Sequence, residues 1–100
     1  MPNLFALKVD DDGLVSQNIM PGDKIVVQSC STAKPGDTVV CLIGDKAILR
    51  QLAKREGRYY LDAGNPQYKP ILVDERVSLL GRAVYHIQTP AISNKSPSDE

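Results

Sequence analysis

Short β-branched runs separated by glycine and proline turns constrain this chain more than any other feature. The triplet Pro-Gly-Asp occurs twice, at 21–23 and 35–37, each time just before a run rich in valine. Proline presets φ at the first turn position, glycine accepts the second, and aspartate can bond the returning backbone. Gly-Asp at 44–45 and Glu-Gly at 56–57 separate further strand-like runs, as two-residue hairpin turns do. The pattern predicts a mostly β domain.

Seven runs carry this strand signature. They are Leu4–Val9, Lys24–Gln28, Thr38–Ile43, Ala47–Ala53, Arg58–Leu61, Ile71–Val73 and Ser78–Ile87. The segment 46–58 has a helix-forming composition. Turn signals at both of its ends leave about ten residues, which is short for a self-supporting helix, so we predict a long strand there. Its five positive charges and one negative charge form a basic stripe, which is either a solvated strand face or a contact for an acidic partner.

Length and composition indicate one ordinary globular domain. A chain of 100 residues buries about 65% of its surface on folding, enough for a core without metal or disulfide. We assign residues 1–89 to this domain, and the polar residues 90–100 predict a disordered tail. Twelve positive and twelve negative charges argue against a free-standing nucleic-acid binder.

Apolar runs and cysteines indicate the compartment. No apolar run is long enough to cross a bilayer, and the first twenty residues lack the apolar stretch of a signal peptide. Cys30 and Cys41 lie in or beside strand-like runs without a CxxC motif, which fits reduced thiols. We therefore expect a cytoplasmic protein with no membrane contact.

Five motifs occur in a fixed order along the chain. They are FALKV at 5–9, IMPGD at 19–23, KPGDTVV at 34–40, DAGNPQYKP at 62–70 and LGRAV at 80–84. This order resembles the carboxy-terminal domain of the LexA, UmuD and phage cI-type repressors, a family of self-cleaving serine peptidases. The resemblance implies a LexA-like twisted β-ribbon of about seven strands.

The same resemblance implies where catalysis would take place. In this family a serine attacks the peptide, and a lysine of lowered pKa accepts the serine proton. The serine position lies ten residues before Asp23 and holds Gly13, and the lysine position, in the strand after the Gly-Asp hairpin, holds Arg50. Glycine has no nucleophile and arginine does not release its proton. The resemblance therefore implies a catalytically inactive member. The family's scissile segment precedes the first matched strand, where this chain has only Met1 to Leu4.

The alternative to an inactive protein is catalysis by a nucleophile at another position. Ser16 lies three residues beyond position 13, but using it would misalign the turn at 19–23. Ser29, Cys30 and Ser31 follow the second predicted strand and fit strand-end residues.

We expect Arg50 to have a structural role in place of the catalytic role of the family's lysine. Alternate strand residues share a face, so Arg50 points with Ile48 and Leu52 toward the core side. A buried guanidinium needs a carboxylate, and Asp11 or Asp12, beside position 13, is the expected partner. The alternative is an exposed arginine whose stem lies along the cleft.

The remaining candidates for chemistry favour structural roles, and no metal or cofactor is expected. His86, the single histidine, fits a sheet-face or interface residue. The acidic run 10–12 lacks the ligand spacing of a calcium loop and fits a solvated turn. Tyr59 and Tyr60 are consecutive on one strand, so their rings point to opposite faces.

We expect the dimerisation module of a phage-type or stress-response transcriptional repressor. DNA would be bound through a separate N-terminal domain, and an antirepressor protein would replace self-cleavage as the off switch. The closing strand would form a homodimer because a last strand is a sheet edge. Its predicted interface residues are Ala83, Val84, Tyr85, His86 and Ile87. Two alternatives remain: a free-standing partner of an active LexA- or UmuD-type relative, and a peptidase with an unrecognised nucleophile.

Overall fold

The computed structural model describes residues 3–88 and places their strands in one antiparallel sheet. The predicted tail at 90–100 lies outside the described residues. The strands are β1 (Leu4–Lys8), β2 (Lys24–Ser29), β3 (Thr38–Ile43), β4 (Lys46–Arg55), β5 (Arg58–Asp62), β6 (Ile71–Leu72) and β7 (Val77–Ile87). A single 3₁₀ turn, Val15–Gln17, is the helical element within residues 3–88. The prediction of a mostly β fold with seven strands is confirmed, and none of the described helical residues forms a segment able to span a membrane.

The helix-like composition of 46–58 gives way to strand pairing. β4 pairs with β3 along its first half and with β5 along its second half. Glu56 and Gly57 have φ values of 53° and 78°, the left-handed pair of a hairpin turn that matches the strand twist. Pairing on two sides therefore outweighs the propensity of isolated residues for helix.

The strand order, β1-β2-β7-β3-β4-β5-β6, puts the last strand in the middle of the sheet. β7 pairs with β3 from Val77 to Arg82 and with β2 from Gly81 to Ile87. The expectation that β7 is a sheet edge is therefore wrong for the first half of the strand. From Ala83 to Ile87 the described strands pair with β7 on one side.

The sheet carries a hydrophobic cluster on each of two sides, since successive side chains of a strand alternate between faces. The first cluster contains Val9, Leu14, Ile19, Ile25, Val27, Val40 and Leu49. The second contains Val39, Cys41, Ile48 and Leu61. β3 and β4 contribute to both clusters and thereby fix the position of the segments that pack around them.

Candidate functional site

Two loops and one strand meet at the predicted site. The loop after β1 carries Gly13, the loop between β5 and β6 carries Gly64, and the middle of β4 carries Arg50. The two loops hold each other through backbone hydrogen bonds, in which Ser16 N–H donates to the Gly64 carbonyl over 3.0 Å and Gly64 N–H donates to the Gly13 carbonyl. Asn65 Nδ2 donates to the Asp12 carbonyl over 3.1 Å. The structure thus brings the two sequence-predicted positions together.

Gly13 and Arg50 are in direct contact. The Arg50 side chain is 6% exposed, and a Cβ atom added to Gly13 would lie 2.6 Å from the guanidinium carbon and 3.1 Å from Nη2. In real proteins a Cβ atom does not lie as close as 2.6 Å to another heavy atom. Residue 13 must therefore be glycine while the arginine occupies this place.

Asp11 supplies the carboxylate for the buried guanidinium. Arg50 Nη1 lies 3.3 Å from Asp11 Oδ1 and 3.4 Å from Oδ2, and it donates to the Leu49 carbonyl over 2.7 Å. The same Asp11 Oδ1 accepts the Gly13 N–H over 2.9 Å. The predicted ion pair is confirmed for Asp11. Because charge pairing and a carbonyl both compensate the guanidinium, burial of this arginine is tolerable.

Tyr68 covers the guanidinium and binds the second predicted carboxylate. The Arg50 Cζ lies 4.8 Å from the centroid of the Tyr68 ring. Tyr68 Oη donates to Asp12 Oδ1 over 2.6 Å. This hydrogen bond, followed by desolvation and the charges of Asp12 and Asp11, raises the pKa of Tyr68, while Arg50 opposes the increase. The sequence indicates Tyr68 only as part of the 62–70 motif, because its hydrogen-bond partner Asp12 lies 56 positions away along the chain.

The alternative nucleophiles lie in the 3₁₀ turn and at or just beyond the end of β2. Ser16 lies in the 3₁₀ turn with its hydroxyl against Gly64. Cys30 donates its N–H to the Leu80 carbonyl, and Ser31 lines a cavity in the second cluster. Residues 3–88 contain no group of three His, Cys, Asp or Glu side chains placed to hold a metal ion.

A cleft of about 430 Å³ lies beside this site. The end of β1 and its following loop form one wall, and the β3–β4 turn with the start of β4 forms the other. Leu7, Ala47 and Leu49 give it apolar lining, whereas Asp10 and Lys46 line it with side chains of opposite charge. Asp11, the carboxylate that pairs with Arg50, also lines the cleft.

His86 has a partner that the sequence did not reveal. Its Nε2 lies 2.7 Å from Oδ2 of Asp23, whose side chain is 4% exposed. The same Asp23 oxygen accepts the Met20 N–H over 2.9 Å and so fixes the Pro-Gly-Asp turn. His86 therefore ties the end of β7 to the turn before β2.

The other predicted interface residues lie at an open part of β7. Tyr85 and Ile87 are 69% and 54% exposed, Val84 is 37% exposed, and Ala83 is half-buried. Ala83 and Tyr85 both oppose neighbouring β2 residues, which leaves Val84 as an extra residue in a β-bulge. These five residues lie consecutively in the second half of β7.

Comparison with known proteins gives the family. Residues 1–84 match the Peptidase S24-like family. LexA repressor of Acetivibrio thermocellus is 38% identical over 81 residues, which are 81% of this chain and 38% of that protein. LexA repressor of Clostridium perfringens is 35% identical over 82 residues, 82% of this chain and 40% of the relative. LexA repressor 1 of Nocardia farcinica is 38% identical over 81 residues, with shares of 81% and 37%. The chain spans about two fifths of the length of these relatives, and it belongs to the Peptidase S24-like family.

Proposed function

We propose that this domain is a catalytically inactive S24-type module that dimerises a LexA-like transcriptional repressor. The observation that carries the proposal is the contact between Gly13 and Arg50, the residues that the family resemblance assigns to the nucleophile and base positions. Both are chemically unable to perform those steps.

The surroundings of Arg50 support a structural role for it. Arg50 is 5% exposed, its Nη1 reaches Asp11 and the Leu49 carbonyl, and Tyr68 covers its guanidinium. A group that must accept a proton from serine has to be neutral and face a hydroxyl. Arg50 instead faces the backbone of Gly13, so the site is a charge-paired contact between two loops and a strand.

The proposed dimer forms through the open edge of β7. From Ala83 to Ile87 the strand presents one backbone edge to which the described residues add no strand. Unpaired backbone groups of this kind are templates for pairing with another chain. Antiparallel pairing of two copies about Tyr85 would satisfy both edges and give the two-fold symmetry common among dimers.

Such a dimer would give the repressor its affinity for DNA. Two DNA-binding domains joined through this module would bind paired half-sites at high effective concentration. Without self-cleavage, the repressor would need release by another agent, for which an antirepressor protein is our candidate.

Inactivity is tested with the purified chain at neutral and alkaline pH. Alkaline solution neutralises a catalytic lysine and so favours a serine and lysine pair. We expect the intact mass to persist. We also expect a synthetic peptide with a small residue followed by glycine, the scissile segment that the family resemblance implies, to stay uncut. Cleavage that disappears in the Ser16→Ala variant would contradict the proposal.

Dimerisation is tested by disulfide cross-linking of Tyr85→Cys in a Cys30→Ser background. Cβ atoms of residues opposed across antiparallel strands lie about 5 Å apart, close enough for a disulfide after small adjustment. Cys41 does not interfere, because burial raises the pKa of its thiol to about 11. We expect a cross-linked dimer for Tyr85→Cys and none for the matched exposed control Tyr59→Cys.

Sedimentation of the unmodified chain gives a second measurement. At about 100 μM an association of roughly −5.5 kcal/mol becomes visible. A monomer at that concentration, together with equal cross-linking of both cysteine variants, would contradict the dimer.

A further inference from the structure

The side of β1, β2 and β7 that faces away from the first cluster forms a continuous surface. Residues in register across antiparallel strands share a face. One row joins Ala6, Val26 and Tyr85. The adjacent rows are Leu4, Gln28 and Arg82 on one side and Lys8, Lys24 and Ile87 on the other. We call these nine residues the outer face.

The outer face is apolar at its centre and uncovered by the described residues. Leu4 is 60% exposed, Tyr85 is 69% exposed and Ile87 is 54% exposed. Val84, the extra residue of the bulge beside them, is 37% exposed. The opposite side of the same strands packs Ile25 and Val27 into the first cluster at 1% exposure or less. Contiguous exposed apolar surface of this kind marks interaction sites in soluble proteins.

The charge of the outer face has one sign. Lys8, Lys24 and Arg82 lie at its margins, and the three strands contain no aspartate or glutamate. A second copy packed face to face would bring these cations together, and none of the three strands supplies a compensating carboxylate. Like charges opposed at an interface cost several kcal/mol, so the charge disfavours self-association through this face. It favours a partner that carries carboxylates around apolar side chains.

We propose that the outer face is a docking surface for an acidic amphipathic helix of a partner protein. Three strands at about 4.8 Å spacing make a surface about 10 Å wide, close to the diameter of a helix. The apolar side of that helix would cover Leu4, Tyr85 and Ile87, and its carboxylates would reach Lys8 and Lys24. The outer face shares Tyr85 and Ile87 with the strand of the proposed dimer contact, but that contact pairs the backbone edge of β7 and leaves this side of the sheet uncovered.

Titration of the isotope-labelled full chain with synthetic peptides tests the proposal by NMR. The first peptide has about 14 residues, four helical turns, with leucines spaced along one face and glutamates elsewhere. The second replaces each glutamate by lysine. We expect the acidic peptide to shift the resonances of Leu4, Val26 and Ile87 and to bind more weakly as salt increases. We expect the basic peptide to leave these resonances unchanged.

A charge-reversal pair provides the matched control. Lys8→Glu/Lys24→Glu reverses two of the three cations of the outer face and leaves residues 83–87 themselves unchanged, and we expect it to weaken the acidic peptide about tenfold or more. Lys34→Glu/Lys54→Glu makes the same charge change at exposed lysines elsewhere, and we expect less than a twofold effect. Retained cross-linking through Tyr85→Cys in both variants separates this result from the dimer.

Several outcomes would overturn the docking surface. Equal binding of the two peptides would show that charge does not select the partner. Equal weakening by the two lysine variants would show nonspecific charge attraction. Either result would contradict the docking surface. Concentration-dependent shifts of Leu4 and Ala6 without peptide would assign the surface to a second copy, because these β1 residues do not belong to the 83–87 edge of the proposed dimer. Contacts from residues 89–100 to Tyr85 in the free chain would assign it to the chain itself.

Discussion

The contact around Arg50 and the outer face lie on the same sheet, but their side chains differ in whether they find partners within the described residues. At Arg50 a buried charge finds a carboxylate, a carbonyl and an aromatic ring within the chain. At the outer face, apolar and basic side chains remain exposed among the described residues. The first region therefore contributes to the stability of the fold, whereas the second is available for association. Four substitutions test this difference.

The largest effect is expected at Gly13. In Gly13→Ser the new Cβ collides with the Arg50 guanidinium, and relief of the clash pulls the arginine away from Asp11. We expect a loss of about 2 to 3 kcal/mol in the free energy of unfolding, measured by denaturant titration. In Gly13→Ser/Arg50→Lys the shorter, unbranched cation relieves the clash, so the two substitutions should couple by about 1 kcal/mol or more. Simple additivity would contradict a direct contact.

Asp11→Asn should have the next largest effect. The amide keeps an oxygen for the Gly13 N–H but removes the charge that compensates Arg50. We expect a loss of about 2 kcal/mol, because removing one partner leaves a buried charge. The matched control is Asp62→Asn, which breaks the exposed pair with Arg55, and surface pairs contribute about 1 kcal/mol or less. Equal losses in the two variants would mean that burial of Arg50 has no energetic consequence.

Tyr68 makes the same region sensitive to alkaline pH. Its pKa is raised first by the hydrogen bond to Asp12, so folding favours the neutral phenol. The contribution to stability is complete below the ordinary tyrosine pKa of about 10 and is lost as pH rises through the higher folded value. Absorbance titration should detect one late-ionising tyrosine that is absent in Tyr68→Phe. If Tyr68→Phe loses stability over the same alkaline pH range as the unmodified chain, ionisation of the Tyr68 phenol does not cause that loss.

The smallest effect on folding is expected at Tyr85. The side chain is 69% exposed, so Tyr85→Thr removes little packing and keeps a residue that favours strands. We expect the free energy of unfolding to change by about 0.5 kcal/mol or less when measured at a concentration that keeps the chain monomeric. A loss comparable to that of Asp11→Asn would show that the outer face stabilises the fold and would end the contrast between the two regions.

Local sequence signals were sufficient for the strands. β3 matches its predicted bounds, Thr38–Ile43, because a Pro-Gly-Asp turn and a Gly-Asp turn enclose it. A partner for Arg50 was expected at Asp11 or Asp12, because a buried guanidinium requires a carboxylate and the family resemblance places position 13 beside position 50; the structure selects Asp11. The order of the strands was not predictable in the same way, because pairing of β7 with both β2 and β3 depends on contacts between distant residues. For the same reason, the sequence did not predict the contact of Tyr68 with Arg50 or the contact of Asp23 with His86.

The central place of β7 has a consequence for how the chain reaches its folded state. β2 pairs with residues of β7 that lie more than 50 positions further along the chain. Until β7 is synthesised, β1 and β2 form an isolated pair, and two-stranded pairs are marginal in water. Contacts over such sequence distances also slow folding, because a long loop must close before they form. β1 and β2 therefore join β3, β4, β5 and β6 in one sheet only after the ribosome has completed β7. A second copy or a partner helix can bind the complete fold only after this last strand has been synthesised.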